Sequence, residues 1–508
     1  MSTPNKRSGR RRSASAQTPV RPPLSLPGLP ANRLHVLDQS DLQQIYGAVI
    51  SILEKTGLGL APSFVVDRVK KAGGYTNQEN RLCFPEKLVE ESIAGISKGI
   101  TLYGRQQSLN MELSGGNVYC GTGGAAPLLL DTETDQYRDS SLRDLYNVAR
   151  LVDDLDNVHF LSRPLVARDM PTEQAMDINT AYACLAGSSK HVCVSASNGE
   201  NAQSIADLCH IVAGSADAFR RAPFLSLHVN HVTPPLRFGE EACEVLKVGA
   251  ENHIPVHCNI FGQVGASSPV TFAGAIAQTA AESIAGMIYC WLINPEVKLI
   301  FGPRPMITDL RTGGMAGGAG EQGMIIAAMT QVARYFGFSN SCIAGAADSK
   351  IADAQSGHEK SFTVNMAAQS GCNLITQACG MQAGLMGVSL ESYIIDNDML
   401  GGIMSSLRPL PVNESTLATD LIDSVVNGPA HFLGEASTIN RMKSDFEYPQ
   451  VADRRSVTEW QQEGSEDIRA KARRLVQESL QKPDVNHIPA DIDEHIRSRF
   501  DIRLAIGR

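Results

Sequence analysis

Apolar residues recur along this chain in two rhythms. Between 34 and 116 the rhythm is helical. Leu42, Ile45, Val49, Ile52 and Leu53 share one face, Ser40 and Gln43 offer a capping box at the start, and Gly57 ends the run. This stretch predicts an N-terminal helical cap. From 117 onward, short apolar runs bounded by polar turns alternate with longer helical stretches. The runs at 117–120, 158–162, 191–195, 224–228, 255–259, 298–302, 341–345 and 373–377 predict eight strands. Their spacing, about thirty to forty-five residues, suits a strand, a crossover helix and two loops. Eight such units predict an α/β fold, a (β/α)8 TIM-type barrel. An open doubly wound sheet is the alternative, but no Gly-x-Gly-x-x-Gly turn follows an early strand, so nothing points to a dinucleotide. Past 409, Ile468, Ala472, Leu475, Val476 and Leu480 form one stripe between charged residues, as expected of a helical extension packed on the barrel.

Composition adds boundaries and exclusions. A chain of 508 residues exceeds what one core normally organises, which suits a barrel with terminal additions. Residues 1–33 carry Lys6, Arg7, Arg10, Arg11, Arg12 and Arg21 and predict a disordered basic tail. An organellar presequence shares that composition, whereas a secretory signal needs an apolar run that is missing. The expected organisation is this tail, a cap over 34–116, a barrel over 117–408 and a helical region over 409–508. The net charge of -9 argues against general affinity for nucleic acid or an anionic membrane. Eleven cysteines without short paired spacing predict reduced, buried thiols in a cytoplasmic protein. The most apolar stretch, 284–293, reads as too short to span a bilayer.

Polar residues cluster just after the expected strands: Arg163, Ser197 and Asn198, Asn230 and His231, Phe261 and Gln263, Arg304, then Asp348, Ser349 and Lys350, and finally Cys379. In a barrel these ends converge on one face, where substrates bind. Some have a plainer reading, since Asn198 and Ser267 stand where helix N-caps belong. His228 and His231 bracket one strand end, and either is a pocket candidate or a satisfied core histidine. The richest stretch runs from 309 to 359. It holds the glycines Gly313, Gly314, Gly317 and Gly318, then Asp348, Lys350, Asp353, Gln355 and His358. Glycine at this density lets a bulky partner approach the backbone. A P-loop is excluded by the missing Gly-Lys-Ser/Thr ending. Asp348 or Ser349 could equally be an N-cap on a solvated helix start. His191 and Cys193, with His257 and Cys258, could be drawn as a zinc site, although core packing accounts for both cysteines and no bound metal is expected.

Several separated motifs occur in an order that resembles the trimethylamine methyltransferase family. They are the glycines at 313–320, the Ala-Asp-Ser-Lys-x-x-Asp-Ala-Gln-x-Gly-x-Glu run at 347–359, the Gln-Ala-Gly-Leu-Met-Gly run at 382–387, Asp453-Arg454-Arg455, Trp460 and Gly464. The resemblance implies a barrel that passes a methyl group from a methylamine to the cobalt of a separate corrinoid protein. Archaeal members carry pyrrolysine near the segment matched by 347–353. This chain has only standard residues there, which moves the expected substrate from trimethylamine towards a quaternary amine such as glycine betaine. On that view Phe261 would face the cation, with Tyr103 and Phe160 less well placed. Arg304, Arg311, Lys350 or His358 would anchor a carboxylate, or else form ion pairs with Asp309, Glu321, Asp348 or Asp353. His228, Asn230, His231, Gln263, Asp348 and Gln355 complete the expected substrate contacts. Gly313, Gly314, Gly317 and Gly318 would face the corrinoid. A homo-oligomer is expected. A trimethylamine:corrinoid methyltransferase, a zinc-dependent barrel methyltransferase and a non-catalytic methylamine-binding or corrinoid-docking protein remain as alternatives.

Overall fold

The computed structural model describes residues 29–30 and 33–507, so most of the expected basic tail lies outside the described residues. Eight strands occur where the apolar runs lie. They are β1 (Asn117–Cys120), β2 (Phe160–Ser162), β3 (His191–Val194), β4 (Leu225–Asn230), β5 (Val256–Gln263), β6 (Leu299–Met306), β7 (Ser341–Ile343) and β8 (Leu374–Thr376). Each is followed by a helix: α1 (Leu142–Asp153), α2 (Glu173–Gly187), α3 (Gly199–Ala213), α4 (Glu240–Glu251), α5 (Phe272–Ile293), α6 (Gly320–Phe336), α7 (Ala354–Ser370) and α8 (Leu390–Ser406). The result is a mixed α/β fold with parallel sheets. One sheet runs β6-β5-β4-β3-β2 and the other joins β1, β8 and β7, with every pair among these eight parallel. Single parallel bridges, Gly121 to Phe160 and Phe301 to Asn340, link the two sheets edge to edge.

Alternation assigns the faces. Val192, Leu225, Val256, Cys258 and Ile260 join the large core under the helices, whereas Tyr119, Phe160, Cys193, Ile300 and Leu374 form a separate inner cluster. The hairpin of Ile100–Leu102 and Met111–Leu113 belongs to that inner cluster and covers the end where the strands begin. Residues two apart share a face, so Ser226, His228, His257, Asn259, Phe261, Gly302 and Arg304 also point inward.

Three local expectations change. β5 and β6 run four residues past their expected ends, so Phe261, Gln263 and Arg304 lie inside strands rather than after them. Pro303 and Pro305 suggest a break, yet they are harmless here. The Phe301 N–H donates to Ser339 on the β7 side, the prolines share that direction, and no ladder continues there beyond Phe301. The first helix, Gln39–Ser51, is capped by Asp38 with Asp41 rather than by Ser40 with Gln43, and a π-turn extends it to Gly57. Finally, the apolar stretch at 284–293 is part of the 22-residue α5, long and apolar enough to cross a membrane, but 83% buried over its most apolar window as a core helix. All eleven cysteines are buried and unpaired, as expected.

Candidate active site

Polar groups on the inner face centre on Ser226. Its hydroxyl lies 3.0 Å from His191 Nε2, 3.0 Å from His257 Nε2 and 3.2 Å from Cys193 Sγ. His191 Nδ1 is 2.9 Å from the Tyr103 carbonyl, which can only accept, so Nδ1 carries the proton and Nε2 accepts from Ser226. His257 Nε2 then donates to Ser226, and His257 Nδ1, which has no partner, is a bare acceptor. His228 packs against His257 with centroids 4.2 Å apart and its Nε2 is also unpartnered. Both imidazoles are neutral: burial pushes their pKa values far below the ordinary range, and the Arg304 charge adds to this.

Arg304 is the most unusual group here. It is 7% exposed, its Nε and Nη2 have no hydrogen-bond partner, and it makes no ion pair among the described residues. Burial lowers its pKa to about 10. Arg163, just after β2, is half-buried; desolvation lowers its pKa, and Asp177 offsets this only in part. Phe261 is the register neighbour of Arg304 on β5. Its ring packs with Met306, Ile343, Ala346, Met315 and Leu385 to form an apolar rim. One wall thus sets an aromatic face beside an unpaired guanidinium.

The glycine-rich segment braces itself. The Asp348 carboxylate accepts from the Gly317 and Gly318 N–H groups at 3.0 and 3.2 Å, and Glu359 accepts from the Asp348 N–H at 2.7 Å. A Cβ on Gly318 would stand 2.3 Å from Glu359, and one on Gly317 2.5 Å from the Ala346 carbonyl, so both glycines serve close packing. Gly313 and Gly314 lie on the exposed tip. Across the strand ends runs a turn at 377–385 with Gln377, Ala383 and Leu385 at positive φ, a strained arrangement that clusters at working sites. The Ala383 and Gly384 N–H groups bond Ser349 and Ala347, and the Gly380 N–H bonds Asp396, itself paired with buried Lys360 at 2.7 Å.

The trimethylamine methyltransferase family model matches residues 5–505. The chain belongs to that family. It is 29% identical to a trimethylamine methyltransferase of Methanosarcina thermophila over 90% of this chain and 95% of the relative. It is 26% identical to a glycine betaine methyltransferase of Desulfitobacterium hafniense over 93% and 97% of the two chains. Among solved structures, the 7,8-dihydropteroate synthase of Vibrio fischeri aligns over 62% of this chain and all of its own, at 13% identity and a TM-score of 0.36.

The family's expected contacts divide sharply in this chain. His228, Asn230, Phe261, Gln263 and Arg304 stand on the inner face or its mouth. His231 does not: it packs under α5, with Nε2 2.9 Å from the Glu282 carbonyl. Arg311 is 89% exposed and paired with Asp309. Lys350 donates to the Asp348 carbonyl, Gln355 to Glu359, and the His358 ring meets the Ala354 carbonyl, all three residues being exposed. Asp348 is neither N-cap nor free, because Asp353 caps α7. Asn198 caps α3 as expected, whereas Ser267 instead accepts from the Gln263 N–H. Ser226 and Asn259 were missed, and His257 was named only as a zinc candidate, although all three share the alternation of His228 and Phe261 that could have found them.

The zinc drawing also changes. Cys258 faces the helices, and both nitrogens of His191 are engaged. A different trio, Cys193, His228 and His257, has ligand atoms within 4.8 Å of one another. Its geometry suits a cation poorly. The two rings pack at 34° and 4.2 Å, His257 Nε2 is engaged with Ser226, and the Arg304 charge acts on both.

Proposed function

We propose that this chain moves a methyl group from a quaternary methylamine bearing a carboxylate, with glycine betaine the favoured substrate, to Co(I) of a separate corrinoid protein. The eight strands, linked by two bridges, would form a (β/α)8 barrel with the site at its C-terminal mouth. The observation that carries this reading is the unpaired edge of Arg304. Nε and Nη2 form the side-on fork of a guanidinium, spaced for the two oxygens of one carboxylate. A buried charge without a partner is costly, and an anionic substrate group answers it. Trimethylamine has no such group, and its cationic form would be repelled.

A zwitterion fits the wall in one orientation, with its carboxylate on Arg304 and its trimethylammonium against Phe261 one strand away. The corrinoid supplies the Co(I) nucleophile. The chain's own work is alignment and exclusion of water, because a quaternary nitrogen already leaves as a neutral amine and needs no general acid. Positive charge leaves that nitrogen as the methyl departs. A weak aromatic hold on it, with the firm grip on the carboxylate, therefore favours the transition state. Neutral His228 and His257 add no second cation near the ammonium.

The test mixes purified protein, a reduced corrinoid protein and either glycine betaine or trimethylamine while following the Co(I) absorbance. Loss of the Co(I) signal with glycine betaine alone supports the reading. Turnover of trimethylamine in preference removes the carboxylate argument, and no turnover of any amine leaves a methylamine-binding protein.

A further inference from the structure

Large apolar side chains left exposed are concentrated in one place. Eleven of the twenty-four among the described residues fall between Leu410 and Tyr448, a 39-residue stretch in which Val425 is the one buried large apolar side chain. Leu410 is 87% exposed, Leu433 81% and Val412 72%, with Val426, Phe446 and Tyr448 each above half. Short helices, Glu414–Leu417, Thr419–Val426 and Ala436–Arg441, carry much of this surface, and a cleft of about 580 Å³ opens between them beside Leu421 and Phe446.

The segment is firmly moored. Arg33 donates to the carbonyls of Ser406, Leu407 and Arg408 where it leaves α8. The Asp398 carboxylate accepts from the N–H groups of Gln450, Val451 and Ala452 where it returns. Its position is equally defined. α8 begins beside the mouth turn, meets Asn157, just ahead of β2, through Asn397 halfway along, and ends at Ser406, whose hydroxyl accepts from Gln369 at the end of α7. At 17 residues, α8 sets the start of the segment about 25 Å from the mouth, and the segment returns beside Asp398, halfway along the helix.

We infer that this face is the interface with a second copy of the chain. Eleven side chains, seven of them more than half exposed, together present on the order of 1,000 Å² of apolar surface, comparable with the roughly 800 Å² per partner of a stable interface. On the proposed function a corrinoid protein must reach the mouth and leave again, and the exposed side chains at the start of this surface, Leu410 and Val412, follow the far end of α8. A permanent cover is what so much apolar area requires, and a self-complementary two-fold contact lets the same segment supply both halves. Leucines of one copy fill the cleft of the other.

Sedimentation velocity on the full-length protein at micromolar concentration tests this. The unsubstituted chain sediments as a dimer or a higher even oligomer. The Leu410→Asp/Leu433→Asp double variant weakens association at least a hundredfold with unchanged far-ultraviolet circular dichroism and melting, since both side chains are already solvated in one copy. Leu60→Asp, at an exposed leucine elsewhere, leaves the assembly intact. A monomeric unsubstituted protein overturns the inference, as does a double variant that assembles normally. Assembly lost equally in Leu60→Asp also overturns it.

Discussion

The glycine-rich segment at 311–359 and the inner wall of β3 to β6 are both dense in polar chemistry, yet their groups live under opposite conditions. In the first, almost every charge is answered nearby: Arg311 by Asp309, Asp348 by two backbone N–H groups, Glu359 by Gln355 and the Asp348 N–H. On the wall, Arg304, His228, His257 and Asn259 each keep at least one buried polar atom without a partner. Burial turns an unanswered polar group into a demand for a ligand, while an exposed or locally satisfied one makes no demand. On the proposed function, unmet hydrogen bonds on this wall are a better guide to the site than the density of polar residues.

That contrast can be tested at several strengths. Lys360 and Asp396 are a buried and fully answered pair behind the mouth turn. Lys360→Met strands the carboxylate and is expected to cost about 3–5 kcal/mol in denaturant unfolding. A loss below 1 kcal/mol would place water at the pair. Arg304→Gln should act in the opposite way. It removes an unpaired charge, so melting holds or rises, while kcat/KM for glycine betaine drops about a hundredfold or more, the scale of a lost buried charge-assisted pair. Unchanged kinetics would remove Arg304 from the site.

Glu282 extends the comparison to pH. It is wholly buried, Oε1 accepts from the Leu236 N–H at 2.6 Å, Oε2 has no partner, and burial raises its pKa from 4.5 to about 7. A raised folded pKa means the native state binds the proton more tightly. The stabilisation is full below pH 4.5 and is lost as pH rises through 7, by on the order of 3 kcal/mol. Glu282→Gln should flatten that decline in urea titrations at pH 5, 6 and 7, and parallel curves for the two proteins would refute the assignment. The buried histidines His159, His191 and His231, held near 4 by burial, work the other way and cost stability as pH falls below 6.5. Asp348→Ala frees the Gly317 and Gly318 N–H groups and should cost about 1–3 kcal/mol, with local hydrogen exchange as the readout. Arg311→Ala is expected to leave turnover within twofold, because its pair with Asp309 is solvated.

The strands were readable because buried parallel strands are short apolar runs at nearly regular intervals. What was misread were the ends. Pro303 and Pro305 signal a break, and only the missing neighbour on the β7 side makes them acceptable in β6. The candidate site was half legible. Phe261 and Arg304 could be named from their positions, but their side-by-side placement depends on the register of β5 and β6. His231 and His228 look alike in the chain, three residues apart, and the turn after β4 sends one under α5 and leaves the other on the inner face.

Alternation, spacing and motif order, all local properties of the chain, determined the α/β class, the eight strand positions, the buried cysteines and the family resemblance. Only the tertiary structure decided which polar atoms are left without partners, and so that Arg304 rather than Arg311 is the guanidinium without an ion pair among the described residues. A hydrogen bond is satisfied or orphaned by groups far away in sequence, such as the neighbours that surround Arg304 from other strands, and no local pattern encodes that sum.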